Sequence, residues 1–134
     1  MSVVEYKYQK VTHEQLVKCL YWCQNQLQLR DWEITLCTGD TPPKDFMGEE
    51  DVLKVYGMVK YHADKLKAVI WMDIANHRKR DQNAYATVIH EATHVFLAAR
   101  GEDTEQVVCV LEPLLYRLYC ADNHLKIMEK VKND

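Results

Sequence analysis

Residues 84–100, AYATVIHEATHVFLAAR, sort their polar and apolar side chains cleanly only at helical pitch. Asn83, Thr87, His90, His94 and Ala98 fall on one stripe, while Ala84, Tyr85, Val88, Ala92, Val95, Phe96 and Ala99 make a broad apolar back. The pattern predicts a helix from near Asp81 to Gly101, a glycine placed where a left-handed C-terminal cap is needed. Any fold must therefore bury the back of this helix and leave its histidine stripe facing a cleft.

That stripe carries H-E-x-x-H as His90, Glu91 and His94. Residues four apart lie one turn apart on one side, so both imidazoles can converge on a single ion at ~2.0–2.1 Å. Glu91, turned ~100° away from His90, is placed to reach a water beside that ion rather than the ion itself. Two imidazoles with an adjacent carboxylate are the chemistry of metal-assisted hydrolysis, with Zn2+ the expected cofactor, His90 and His94 its ligands and Glu91 the general base.

The rest of the chain bounds this reading. At 134 residues and 48% hydrophobic content it is long enough for one domain, 1–134, with a real core. A net charge of −3 argues against nucleic acid or anionic membranes as partners. No segment approaches the ~20 apolar residues of a membrane span, and residues 1–10 lack a leader's apolar stretch. Cys19, Cys23, Cys37, Cys109 and Cys120 are odd in number, form no C-x-x-C pair and sit among apolar neighbours. They are expected to be reduced thiols, which suits a cytoplasmic protein.

Residues 2–8 offer a short strand. Thr12 and Gln15 form a capping box ahead of Leu16, Leu20, Cys23 and Leu27, predicting a helix from 12 to about 29. Trp32, Ile34 and Leu36 alternate with polar residues as a half-buried strand. Residues 39–51, with two prolines and two glycines, read as loop. Residues 52–61 and 68–74 are expected to form an antiparallel hairpin through the turn at 62–66. Residues 76–83 are expected to be a solvated connection. Asp103 and Gln106 open a further helix with apolar positions Val107, Val108, Leu111, Leu114, Leu115 and Leu118, kinked or broken at Pro113. The charged stretch 124–134 is expected to be a short frayed helix. The class is α+β: a small antiparallel or mixed sheet of about three strands packed on the H-E-x-x-H helix, with further helices.

A catalytic zinc takes three protein ligands and keeps one position open. The downstream candidates are Glu102, Glu105 and Glu112. Gly101 lets the chain reverse, so that a helix opening at Thr104 presents Glu105 from its first turn; Glu105 is preferred over the other two.

This order of strands, motif helix (TVIHEATHVFLA), glycine turn and Glu-bearing helix resembles the zincin metallopeptidases. A Glu as third ligand is similar to the gluzincins, and the size to their minimal single-domain kind, small phage and bacterial metallopeptidases and, more distantly, ImmA/IrrE-type domains. The resemblance covers roughly residues 32–118. It implies peptide-bond hydrolysis with a peptide or protein substrate. It also implies that the strand before the motif helix, Ala68, Val69, Ile70, Trp71 and Met72, borders the cleft as an edge strand and pairs with that substrate. The C-terminal half of larger gluzincins, with its oxyanion-steadying Tyr or His, has no counterpart; Tyr116, Tyr119 and His124 are the replacements on offer. The alternative expectation is a zinc-binding, non-catalytic interaction module whose cleft holds a partner segment.

Overall fold

A computed structural model describes residues 4–41, 43, 57–102 and 104–130. Along the chain run helix α1 (His13–Gln26), strands β1 (Glu33–Thr38), β2 (Gly57–His62) and β3 (Lys67–Met72), then helices α2 (Ile74–Lys79), α3 (Ala84–Ala98) and α4 (Glu105–Asp122). The class is α+β, with a three-stranded mixed sheet and four helices. The loop expected at 39–51 and the start of the strand expected at 52–61 lie largely outside the described residues.

Local signals set most boundaries. Thr12 caps α1, its side chain accepting from the Gln15 N–H while the Gln15 side chain accepts from the Thr12 N–H. Asn83 and Thr104 cap α3 and α4 in the same way, accepting from the N–H groups of Ala86 and Val107. Gly101, at φ +69°, reverses the chain after α3, and the Glu102 N–H returns to the Leu97 carbonyl at 2.9 Å.

β2 and β3 form the expected antiparallel hairpin, joined by a 3-10 turn at Ala63–Lys65. The sheet order, however, is β1-β3-β2, with β1 parallel to β3 from Glu33↔Lys67 to Thr38↔Met72. This corrects the role given to Ala68, Val69, Ile70, Trp71 and Met72: they form the central strand, not an edge. Their composition carries the reason, since Ala68, Ile70, Trp71 and Met72 are all buried, as on a strand covered on both faces and flanked on both sides. Among the described residues, the outer strand beside the motif helix is β2.

The main core joins Leu16, Leu20 and Cys23 of α1, Ile70 and Met72 of β3, Val88, Ile89, Ala92 and Val95 of α3, and Tyr116 and Tyr119 of α4. Each such aliphatic side chain contributes roughly 1.5–3 kcal/mol by leaving water. α3 lies at the centre, packed against α1, α4, β2 and β3.

Three expectations are revised. Residues 74–79 are not a solvated connection but α2, capped by Asp73 and anchored by the fully buried His77. Pro113 does not break α4, which spans Glu105–Asp122 with buried Val108, Tyr116 and Tyr119 holding it on both sides of the proline. Among residues 124–130 there is no helix. Glu129 bridges Tyr6, and backbone bonds join Lys7 N–H to the Met128 carbonyl and Lys130 N–H to the Glu5 carbonyl, so the two terminal segments clasp one another.

Candidate metal centre

Eleven of the fifteen residues of α3 are buried, and His90 and His94 are not among them. Both open into a cavity of about 670 Å³. Its walls are α3, the inner face of α4, β2 through Gly57, Met58, Val59 and Tyr61, and the terminal segment through Val4, Glu5 and Tyr6. Among the described lining residues are the carboxylates of Glu5, Glu91, Glu105 and Glu112 and no Lys or Arg, a wall suited to a cation.

Across the glycine turn, the first residue of α4 meets the histidines. Glu105 Oε1 lies 2.9 Å from His90 Nε2 and its Oε2 lies 2.9 Å from His94 Nε2. The two Nε2 atoms are 3.3 Å apart. Two ligands held tetrahedrally at ~2.0–2.1 Å from one ion sit ~3.3–3.4 Å from each other, so the histidine pair is spaced for a metal ion, while the 2.9 Å Glu105 contacts are hydrogen-bond distances. Ligand atoms of His90, His94 and Glu105 all lie within 4.8 Å of one another. Of the three acidic candidates in the sequence, Glu105 is the one brought to the Nε2 atoms of both imidazoles; Glu102 stays in the exposed turn, outside this group.

Glu112 takes a different position. Two turns along α4 from Glu105, its Oε1 lies 2.7 Å from His90 Nδ1. A carboxylate there accepts the Nδ1 proton and turns the Nε2 lone pair toward the cluster, as outer carboxylates do for metal-bound histidines. The spacing of seven between Glu105 and Glu112 put both on one face; it did not reveal that they grip one ring from opposite nitrogens.

The electrostatics follow from burial and crowding of charge. Burial pulls the His90 imidazole down, but the Glu112 hydrogen bond and the charges of Glu91, Glu112 and Glu105 outweigh it and leave it raised to about 9. Glu91 is 7% exposed, and burial pushes its carboxyl up to about 7 against the lowering effect of His90 and His94. Burial, with Glu105 and Glu112 nearby, also raises the Cys109 thiol, which points at Glu105 Oε1 across 3.8 Å.

Behind the histidine stripe, His77 supports Thr87, a cavity residue one turn before His90. Its Nδ1 lies 2.7 Å from the Asp73 carbonyl, which can only accept, so Nε2 accepts the Thr87 hydroxyl at 2.8 Å. Gly57 of β2 passes so close that a Cβ there would sit 2.6 Å from Thr87 Cγ2. Neither contact could be read from the sequence, since His77 lies in a stretch polar enough to pass for a loop.

None of Tyr116, Tyr119 and His124 lines the cavity. Tyr116 is buried, its hydroxyl accepting from the Met128 N–H, and Tyr119 packs against Trp22 and Tyr85. His124 is exposed just past α4. The tyrosines at the cavity wall are Tyr6 and Tyr61.

Comparison with protein-family models, curated proteins and solved structures finds no match to this chain. Among the described residues, no helix is long and apolar enough to cross a membrane.

Proposed function

We propose that this chain is a zinc-dependent peptidase of the zincin kind, with His90, His94 and Glu105 as ligands and Glu91 as general base. The observation that carries the reading is the convergence of His90 Nε2, His94 Nε2 and the Glu105 carboxylate inside a cavity, with Glu91 buried beside them. Zinc bound there supplies Lewis acidity, which activates water and polarises a carbonyl. Glu91 accepts the attacking water's proton and passes it to the leaving amine. A dication beside Glu91 favours its ionised form, so the carboxylate is ready to act as a base at neutral pH. Glu112 holds the His90 ring through Nδ1.

The position of β2 beside the cavity supports a peptide as substrate. Among the described residues β2 pairs with β3, and Gly57, Met58 and Val59 line the cavity. An extended segment laid there gains main-chain hydrogen bonds and comes past Glu91. The role that the zincin resemblance assigns to Ala68, Val69, Ile70, Trp71 and Met72 therefore passes to Gly57, Met58 and Val59.

The test is a pair of variants in the zinc-loaded protein. Glu91→Gln is expected to keep stoichiometric zinc and lose peptide cleavage, and His94→Ala to lose both. Stoichiometric zinc in His94→Ala, by elemental analysis, would sink the ligand assignment. Wild-type protein that holds zinc and leaves a broad peptide library uncut would instead favour the non-catalytic module.

A further inference from the structure

α4 has a second apolar face that the metal centre does not use. Its inner side carries Glu105, Glu112 and the buried Val108, Tyr116 and Tyr119. The opposite side carries Val107, Val110, Leu111, Leu114, Leu118 and Ala121, all apolar. Val107, Val110, Leu114 and Leu118 remain 40, 52, 63 and 45% exposed. Together they leave roughly 350 Å² of apolar surface in water, within the range of the largest apolar patches on monomers, which are often functional. A helix apolar on both sides is ordinarily covered on both.

We propose that a second copy of this chain covers it, the two α4 helices pairing antiparallel about a two-fold axis. This goes beyond the proposed function and does not rest on it. Val107, Leu111, Leu114 and Leu118 are spaced four, three and four apart, the seam of a left-handed helix pair. That spacing reads the same in both directions. An axis midway between Leu111 and Leu114 sets Leu111 against Leu114 of the partner subunit and Val107 against Leu118 of the partner subunit, so one surface satisfies itself. Antiparallel pairing also opposes the two helix dipoles and keeps the first turns, each with its Glu105, apart. A helix of 18 residues gives ~27 Å of seam. With flanking side chains, the pair buries on the order of 1,000 Å² in all, the lower end of specific interfaces.

Sedimentation of the full chain over a concentration series tests this. Dimer is expected at tens of micromolar. Leu114→Glu is expected to raise the dissociation constant at least about tenfold, with its circular dichroism, and its melting at concentrations below those of the dimer, unchanged because Leu114 is already mostly in water. Leu118→Lys should do the same, as an independent check on the face. A mixture of V107C and L118C proteins should oxidise to a 107–118 cross-link between copies, identified by peptide mass. A wild-type monomer throughout the series overturns the proposal, whatever vesicle or other protein the stripe is then found to bind. So does a dimer indifferent to both charge substitutions, or one cross-linked 107 to 107 and 118 to 118.

Discussion

Glu112 shows how one side chain decides what another can offer. A neutral imidazole has one nitrogen that donates and one that can bind an ion, and the 2.7 Å contact to His90 Nδ1 assigns them. Removing that contact by Glu112→Ala should weaken zinc roughly 10–100-fold without abolishing it, measured by competition with a chromophoric chelator. An affinity unchanged by the substitution would make the contact incidental. The His90 ring also sets a pH dependence. Raised to about 9, it is protonated at pH 7–8 in the cation-free protein, so zinc must displace a proton to bind there. Apparent zinc affinity should climb with pH until about 9, and calorimetry in buffers of different ionisation enthalpy should register the released proton. The stability consequence has the opposite sign. A folded-state value above the unfolded ~6.5 means that this stabilisation is complete below ~6.5 and lost as pH rises through about 9. The melting temperature of chelator-treated protein should fall across that window, and less so in His90→Gln.

Among elements, the contact between β2 and α3 fixes the width of the cleft. Gly57 lies against Thr87, whose hydroxyl is held by His77. Gly57→Ala would force a Cβ to 2.6 Å from Thr87 Cγ2, so strand or helix must yield. A loss of about 1–3 kcal/mol is expected in denaturant melts. Thr87→Ser, which keeps the hydroxyl and removes the clashing methyl, should restore much of it. Failure of that rescue would place the strain elsewhere. What the sequence could show at this scale was local. Capping by Thr12, the Gly101 reversal and the first-turn position of Glu105 each depend on a few neighbouring residues, and all were legible. The sheet order was not, because β1 passes over β2 to pair with β3, a choice made by tertiary packing rather than by alternation within any strand. The same limit applies to α4, whose periodicity marks its apolar positions without saying which of them the rest of the chain covers.

For the whole molecule, the candidate centre adds a link between α3 and α4, which also pack against one another. Zinc that binds the folded chain and not the unfolded one stabilises it by about 2.7 kcal/mol at a hundredfold excess over its dissociation constant. A chelator should therefore lower the melting temperature of the wild-type protein by several degrees and leave His94→Ala unmoved. Equal melting with and without chelator would show that no ion is held by the folded state. The clasp between the terminal segments lay beyond sequence reasoning altogether, since Tyr6 and Glu129 meet across almost the full length of the chain. It has a practical consequence for any metal assay. Val4, Glu5 and Tyr6 form part of the wall that holds His90 and His94, so a polyhistidine tag fused ahead of them would bring spare imidazoles to the mouth of the cavity. Zinc stoichiometry and inhibition by added imidazole have meaning here only for protein from which such a tag has been cleaved.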